Sequence, residues 1–364
     1  MNKRDSKRRS FFLLAVATIV VLGVLIFINN KTSRKSPLFS EGAYQLALTG
    51  EVETVSNNNS LMYCVDNLLL EAQSDNLRVK NIKGEVVWSQ KLTGSIIKMT
   101  SAGDNIVIAD SGNNISYYSL QGKLLWHYKA PYEITDIYAE ENGSILIEYK
   151  GMTGGRAEVF SQGGNKIGNI SVENANILSF SAGSNSFSIS ILDMSSDVVK
   201  TKIITYNFKG DILWANNFDN MLITKLNYTK NNRVLAVGEN RILSYRSDGK
   251  LQGELKINGK ICNVAMSDSL TVVVLNNMGR FYAVCYDSNN REQSRTEINI
   301  SPLGLFPLKN NFVVYNKDEL IVFSAKGSVL SAYKSNTDIS RVYMTLDNKL
   351  YIVSNRKLQL LEYK

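Results

Sequence analysis

Apolar residues in this chain fall in short runs, separated by polar clusters rich in Gly, Asn, Ser and Asp. Runs such as Ile106-Val-Ile-Ala109, Val272-Val-Val-Leu275 and Phe312-Val-Val-Tyr315 are apolar without alternation. That is the pattern of a strand covered on both faces. Other runs alternate and carry the charge. Ile96–Met99, Asn105–Ala109, Ile115–Tyr118 and Leu124–Trp126 together read as four successive strands of one unit. The unit repeats. Asn81-Ile-Lys-Gly-Glu-Val-Val-Trp88, Ser119-Leu-Gln-Gly-Lys-Leu-Leu-Trp126 and Asn207-Phe-Lys-Gly-Asp-Ile-Leu-Trp214 are versions of one segment: a strand end, a turn on Gly, and a strand reaching Trp. Their Trp residues are 38 and then 88 positions apart, one period and then two longer ones. A period of about 40 residues with turn and Trp marks predicts a β-propeller.

Weaker turns at Ser161-Gln-Gly-Gly164, Ser247-Asp-Gly249, Asp287-Ser-Asn-Asn290 and Ala325-Lys-Gly327 raise the number of turns to seven. Their Gly, Asp and Asn suit hairpins that need positive φ. A last partial repeat, Asp338 to Tyr363, supplies three strands. Its fourth is expected from the other end of the chain. Ala43–Leu48, or the next run Val52 to Val55, would pair with Lys357–Leu361 and close the ring. The expectation is an all-β, eight-bladed propeller over residues 43–364, with a seven-bladed ring and an irregular N-terminus as the alternative.

The N-terminal segment follows different rules. Residues 11–28 are apolar and uncharged, and as a helix they would extend about 27 Å, near the thickness of a bilayer core. Lys3, Arg4, Lys7, Arg8 and Arg9 precede them, and Lys31, Arg34 and Lys35 follow. The stronger basic cluster belongs in the cytoplasm. No A-x-A cleavage pattern follows, so an uncleaved anchor is favoured over a signal peptide. The predicted organisation is a cytoplasmic basic tail (1–10), a single transmembrane helix (11–28), a linker (29–42) and an extracytoplasmic propeller (43–364).

Charge supports the division. The chain carries a net +8, but residues 36–364 hold 33 basic and 32 acidic side chains. The excess is therefore a topology signal. It gives no case for nucleic-acid binding, which needs a basic patch on the folded domain.

Chemistry is sparse. His127 is the sole histidine, too little for a histidine-based zinc site or a base with partners. No phosphate-binding loop, G-x-S-x-G or H-E-x-x-H occurs. Gly151-Met-Thr-Gly-Gly155 reads as a turn, and Glu140-Glu141 and Asp318-Glu319 read as solvated turn acids. Cys64, Cys262 and Cys285 read as small apolar core residues, with one disulfide as the alternative. Pro302-Leu-Gly-Leu-Phe-Pro307 falls where an inner strand is due and reads as core more than as an exposed patch. No catalytic residue, metal or cofactor is expected.

The Gly-x-Leu-x-Trp pattern at Gly84/Trp88, Gly122/Trp126 and Gly210/Trp214 resembles the quinoprotein-type (PQQ-like) propellers. That resemblance implies that these Trp residues pack between neighbouring blades. The enzymes of that family use adjacent cysteines, a calcium site and a catalytic aspartate; no Cys-Cys pair or calcium loop is found here. The chain is closer in kind to the non-enzymatic branch, which includes the propeller lipoprotein of the outer-membrane assembly machinery. Its layout resembles an uncharacterised family of membrane-anchored Firmicute envelope proteins.

Function is then expected on a surface. The stretched spacing of blades 3 and 4 points to long loops at 150–156 and 193–197, neighbours on the face that carries the blade-to-blade connections. Met152, Arg156, Asp193, Met194 and Asp197 are the candidate partner-binding residues. The expected role is a scaffold for a protein or peptide partner at the cell envelope. The alternative is an enzyme acting on envelope polysaccharide, which predicts acids with raised pKa facing each other in the central channel. A sensor of a small channel ligand is a third reading, disfavoured by the short cytoplasmic tail.

Overall fold

A computed structural model of the chain describes residues 46–54, 60–151, 154–195, 197–266, 270–287, 290–308, 311–344, 349–355 and 357–363. The expected cytoplasmic tail, anchor and linker lie outside the described residues. Among the described residues, no helix is long and apolar enough to cross a membrane.

The strands form eight antiparallel sheets of four, arranged as an eight-bladed propeller. Blade 1 covers Ser60–Lys91, blade 2 Ile96–Lys129, blade 3 Ile134–Glu173 and blade 4 Ala175–Asp219. Blade 5 covers Lys225–Lys256, blade 6 Lys260–Ile298, blade 7 Gly304–Lys334, and blade 8 Ile339–Tyr363 plus Leu46–Glu53. Strands are lettered a to d from the axis outward. The a–b and c–d turns share one face of the ring. The b–c turns and the connections between blades share the other.

Ring closure follows the expectation. Strand Leu46–Glu53 is strand d of blade 8, paired from Leu46↔Tyr363 to Glu53↔Lys357. A single strand takes in half of each candidate run, because a bulge between Leu48 and Gly50 carries the ladder past the glycine.

Burial follows the apolar pattern. Strand b of blade 2, Asn105–Asp110, is buried at every position but the first, whereas strand d, Leu124–Lys129, is exposed or half-buried throughout. The apolar clusters lie between blades. One joins Leu70, Leu77 and Val79 of blade 1 to Met99, Ile106 and Ile108 of blade 2.

The seven turns share one geometry. Gly84, Gly122, Gly164, Gly210, Gly249 and Gly327 have φ between 79° and 90°, and Asn290 has φ 61°. Each amide donates to the carbonyl three residues back, as Gly122 N does to Ser119 O at 3.0 Å. A Cβ on Gly122 would lie 2.7 Å from the Trp88 ring, so glycine is needed there twice over.

That close approach is the docking expected of the tryptophans. Trp88 Nε1 donates to Leu120 O at 2.9 Å, Trp126 Nε1 to Gln162 O at 3.0 Å and Trp214 Nε1 to Ser247 O at 3.1 Å. Each acceptor is two residues before the turn glycine of the next blade. Blade 6 has Ser294 at the tryptophan position, and its hydroxyl donates to the equivalent carbonyl, Ala325 O, at 2.8 Å. Blade 3 has Gly168 there, and Phe187 of blade 4 fills the space, 2.7 Å from where a Cβ would sit. The contact outlasts the motif that marks it.

Three expectations are corrected. The 88-residue spacing comes as much from longer strands as from longer connections: all four strands of blade 4 are eight residues long against six in blade 1, and the b–c connections of blades 3 and 4, 150–153 and 194–199, are longer than those of the other blades. Cys262 is exposed rather than core, because a bulge between Ile261 and Asn263 takes it out of the strand ladder. All three cysteines are free. Pro302–Pro307 divides: Leu305 is buried on inner strand Gly304–Leu308, while Leu303 is exposed in the connection before it.

Two outcomes follow from this packing. Trp126→Ala is expected to destabilise by about 3 kcal/mol and Ser294→Ala by about 1 kcal/mol, read from denaturant midpoints. In the folded protein Cys262 should react with a maleimide and the other two thiols should not. Burial shields Cys64 and Cys285 and pushes both thiols up from their ordinary range. Mass spectrometry of the labelled peptides distinguishes the three.

Candidate functional site

Blades 3 and 4 meet through a connection of one residue, Asn174, held at φ 48°. Gly154 pairs with Glu173 just before it, and Asp193 with Ala175 just after it. Met194 N donates to Asn174 O at 2.6 Å. The two candidate segments are therefore anchored on either side of one residue and are neighbours on one face. A Cβ at Gly154 would come within 2.0 Å of Val172 O, so the approach requires glycine.

Arg156 belongs to strand Gly154–Phe160 and not to a loop. Its guanidinium lies 5.2 Å from the centroid of the Tyr132 ring, a cation–π geometry. Tyr132 is an exposed aromatic in the connection entering blade 3, and Lys150 pairs with Glu133 beside it at 2.9 Å. In the blade 4 segment, Asp193 accepts the amide and hydroxyl of Ser195 at 2.8 and 2.5 Å. These bonds hold its carboxyl below the usual range. Met194, Val198 and Val199 are exposed, as is Asp197. Met152 lies outside the described residues. Tyr132, Val198 and Val199 are absent from the sequence candidates. Their signal is an aromatic, or an apolar pair, in a segment with no strand pattern.

A cavity of about 190 Å³ lies at the b–c turn of blade 1, lined by Gln73, Ser74, Asn76 and Arg78 among others; the opposite face holds two larger ones. One of about 470 Å³ is lined by Tyr63, Ser101, Asp104, Glu140, Glu141 and Met344, among others. Another of about 690 Å³ shares Glu140, Glu141 and Met344 and extends to Asn227, Tyr228 and Asn232. They form a divided basin beside the a–b turns of blades 1 to 5. The b–c segments of blades 3 and 4 lie at the other end of the ring.

Glu140 is half-buried at this mouth, not the solvated turn acid its sequence suggests. Tyr228 N donates to Ser181 Oγ at 3.1 Å, and Ser181 is hydrogen-bonded to the Glu140 carboxyl. Burial pushes Glu140 up to about 7; Ser181 opposes the shift, Glu141 adds to it and Lys225 opposes it. Lys225 donates to Val264 O at 2.8 Å, and its own burial lowers its pKa. Glu140, Ser181 and Lys225 stand about one repeat apart in sequence, a relation that shows only once the blade register is known.

Glu148 is also raised, by burial and then by the charge of Asp136. It pairs in register with Asp136, four positions before Glu140 on the inner strand, or about 13 Å along it. The two raised acids do not face each other. Buried Glu158 lies in the blade 2–3 seam. It accepts Tyr128 OH at 2.6 Å, Tyr149 OH at 2.5 Å and Lys166 Nζ at 2.9 Å. Burial raises this carboxyl, but those three donors outweigh it and leave Glu158 low. His127 is exposed on an outer strand, with Nδ1 3.3 Å from Ser116 Oγ. Among the described residues, no group of His, Cys, Asp and Glu could hold a metal ion.

The Glu140 shift has a signed consequence. Its unfolded value is near 4.3, so between about pH 4.3 and 7 the folded state holds a proton that the unfolded chain has released. Stability falls as pH rises through that window. Glu140→Gln carries no such proton. Its melting midpoint should gain on that of the natural protein between about pH 5 and about pH 8, measured by paired thermal melts.

Among curated proteins, no significant match is found. Solved structures do match. A computationally designed protein, Ika8, aligns with a TM-score of 0.64 at 12% identity, covering 86% of this chain and 99% of its own. BamB from Moraxella catarrhalis aligns at 0.58 and 9% identity, covering 87% and 99%. The C-terminal WD40 domain of Sif2 aligns at 0.59 and 10% identity, covering 90% and 99%. Identities this low speak for the fold alone. A family's sequence model matches residues 43–362, the whole extent of the ring apart from its last residues. The chain thus belongs to DUF5711, a family of unknown function.

Proposed function

We propose that this chain is a membrane-anchored, extracytoplasmic propeller that binds a protein or peptide partner at the cell envelope. The binding surface is the blade 3–4 seam on the face of the b–c turns. The observation that carries this reading is the group of exposed contact residues flanking Asn174: Met194, Val198 and Val199 from one blade, and Tyr132 stacked with Arg156 from the other. Met adapts to a partner's shape, and Tyr and Arg are the side chains that most often anchor interfaces. Arg156 is fixed on a strand, and the blade 4 segment is bounded by strands that end at Asp193 and start at Lys200, which limits the ordering required on binding. The likeness of fold to BamB and to a WD40 domain is consistent with a scaffold. The anchor is residues 11–28, whose apolar character and flanking charge support an outward propeller.

A second reading draws on the basin at the other face. Glu140, with a pKa near neutrality beside Glu141 and Asp104, could serve an envelope saccharide. Loss of saccharide binding or turnover in Glu140→Gln would favour it.

The test is in-cell cross-linking with mass spectrometry on the full chain. Arg156→Ala combined with Met194→Ser is expected to reduce partner cross-links about tenfold or more while leaving protein levels unchanged. Cross-links that persist undiminished would refute this surface. In intact cells stripped of their wall, a membrane-impermeant maleimide should label Cys262. Labelling only after lysis would refute the outward topology.

A further inference from the structure

Seven of the eight outer strands open in the same way: the first residue pairs with strand c, the second bulges out, and the third takes the position of the docking tryptophan. Strand d of blade 8 begins two residues earlier, at Leu46, and makes the same bulge after Leu48. In blades 8, 1, 2, 4 and 5 the residue before the bulge is Leu48, Val86, Leu124, Ile212 and Leu251. The bulged residue in blades 1, 2 and 4 is Val87, Leu125 and Leu213. All eight are between 42% and 62% exposed.

The bulge does not require apolar residues. Blade 6 makes it with Glu292 and Gln293, and blade 3 with Lys166 and Ile167. Blade 7 makes it with Val329 and Leu330, but there Val329 is buried and Leu330 half-buried. Exposed apolar residues at these places occur in blades 8, 1 and 2 and, beyond the Lys166 of blade 3, in blades 4 and 5. Exposed apolar side chains grouped along a rim mark an interaction surface.

The course of the chain indicates what covers it. Strand d of blade 8 starts at this rim: Leu46 pairs with Tyr363, and its amide donates to Ser331 Oγ at 2.8 Å. The sequence before it therefore joins the ring at the a–b and c–d face. Only 17 residues lie between residue 28 and Leu46, which bounds how far the ring can stand from the proposed anchor. The c–d turns next to the apolar residues are of mixed charge, with exposed Lys83, Lys123, Lys209 and Lys250 interleaved with exposed Glu85, Asp211 and Asp248. Apolar side chains set among charges of both signs, with long lysine stems that can reach headgroups, match the zwitterionic headgroup boundary of a bilayer.

We propose that this rim is a lipid-contacting collar that seats the propeller on the outer leaflet. This rests on the anchor reading above. Asp66, Asp104, Glu140 and Glu141 line the mouth on the same face. A flat seating would press these carboxylates onto anionic headgroups. The ring instead rests tilted on the arc of blades 8, 1 and 2, nearest the point where the chain enters. The blade 3–4 seam then faces away from the membrane, open to a partner.

The test uses the full chain reconstituted in vesicles of phosphatidylcholine with a minor fraction of phosphatidylglycerol. A Cys262→Ser background leaves two buried thiols, and an environment-sensitive fluorophore is placed at Leu124→Cys or at Met278→Cys. Met278 is 99% exposed in a b–c turn on the opposite face. Headgroup-proximal spin-labelled lipid should quench the probe at 124 by about half and leave the probe at 278 unchanged. Val86→Glu with Val87→Glu should relieve the quenching at 124 without altering the circular dichroism. A chain that floats with the vesicles but shows equal or no quenching at the two sites would overturn the collar. So would a probe at 124 that is buried without being quenched, which would mean a protein occupant. A chain that does not float with vesicles would overturn the anchor reading itself, and the collar with it.

Discussion

Every other feature of this propeller depends on closing the ring. Seven blades are continuous hairpin units, but the eighth is completed only when Leu46–Glu53 hydrogen-bonds to Lys357–Tyr363 across some three hundred residues of sequence. Without it, Lys357–Tyr363 would be an open sheet edge. The seam it creates is built strongly. Arg341 and Tyr343 both donate to Met62 O, at 2.7 and 2.8 Å, and Tyr63 meets Tyr343 edge to face. Glu71 and Lys80 of blade 1 form an ion pair at 2.7 Å, with side chains only 4% and 12% exposed. A buried pair contributes little net stability but is costly to break; this one lies within blade 1 and fixes the register of its second and third strands.

Around the rest of the ring one contact recurs in changing dress. The outer strand of a blade reaches the c–d turn of the next and donates to a carbonyl there. Trp supplies the donor in three blades and Ser294 in a fourth. At blade 7 the polarity inverts: the next blade has no c–d turn, and Ser331 accepts the amide of Leu46 instead. The geometry tolerates these exchanges because the positive-φ turn fixes where the carbonyl points. Stability in such an array is shared among nearest-neighbour seams, so single positions can drift while the architecture stays.

A closed, rigid ring leaves its two faces free to differ, and here they do. The a–b mouth is a polar basin with half-buried Glu140 and exposed Lys225, bordered on part of its rim by exposed apolar residues. The other face offers Tyr132, Arg156 and Met194 around a one-residue connection. Scaffold rigidity and surface diversity are complementary: the cost of holding contact residues in place is met by the sheets, not by the partner.

Much of this was legible before any coordinate. The repeat period, the seven turns and the donated N-terminal strand are written as spacing and turn chemistry, because hairpins are local and their signals lie within a few residues; the packing of the tryptophans between blades is what the resemblance to quinoprotein-type propellers implies. Loop length was less legible. Gly154–Phe160 and the eight-residue strands of blade 4 extend regular pairing into what the sequence shows as polar interruption, since a ladder can carry Ser, Thr and Lys as readily as Val. The exposure of Cys262, the half-burial of Glu140 beside Ser181, and the alignment of Leu48 with Val86, Leu124, Ile212 and Leu251 were not legible at all. Each depends on which residues of different blades come to the same height around the axis. Bulges and ring closure set that height, and both are decided by packing between sheets rather than within them.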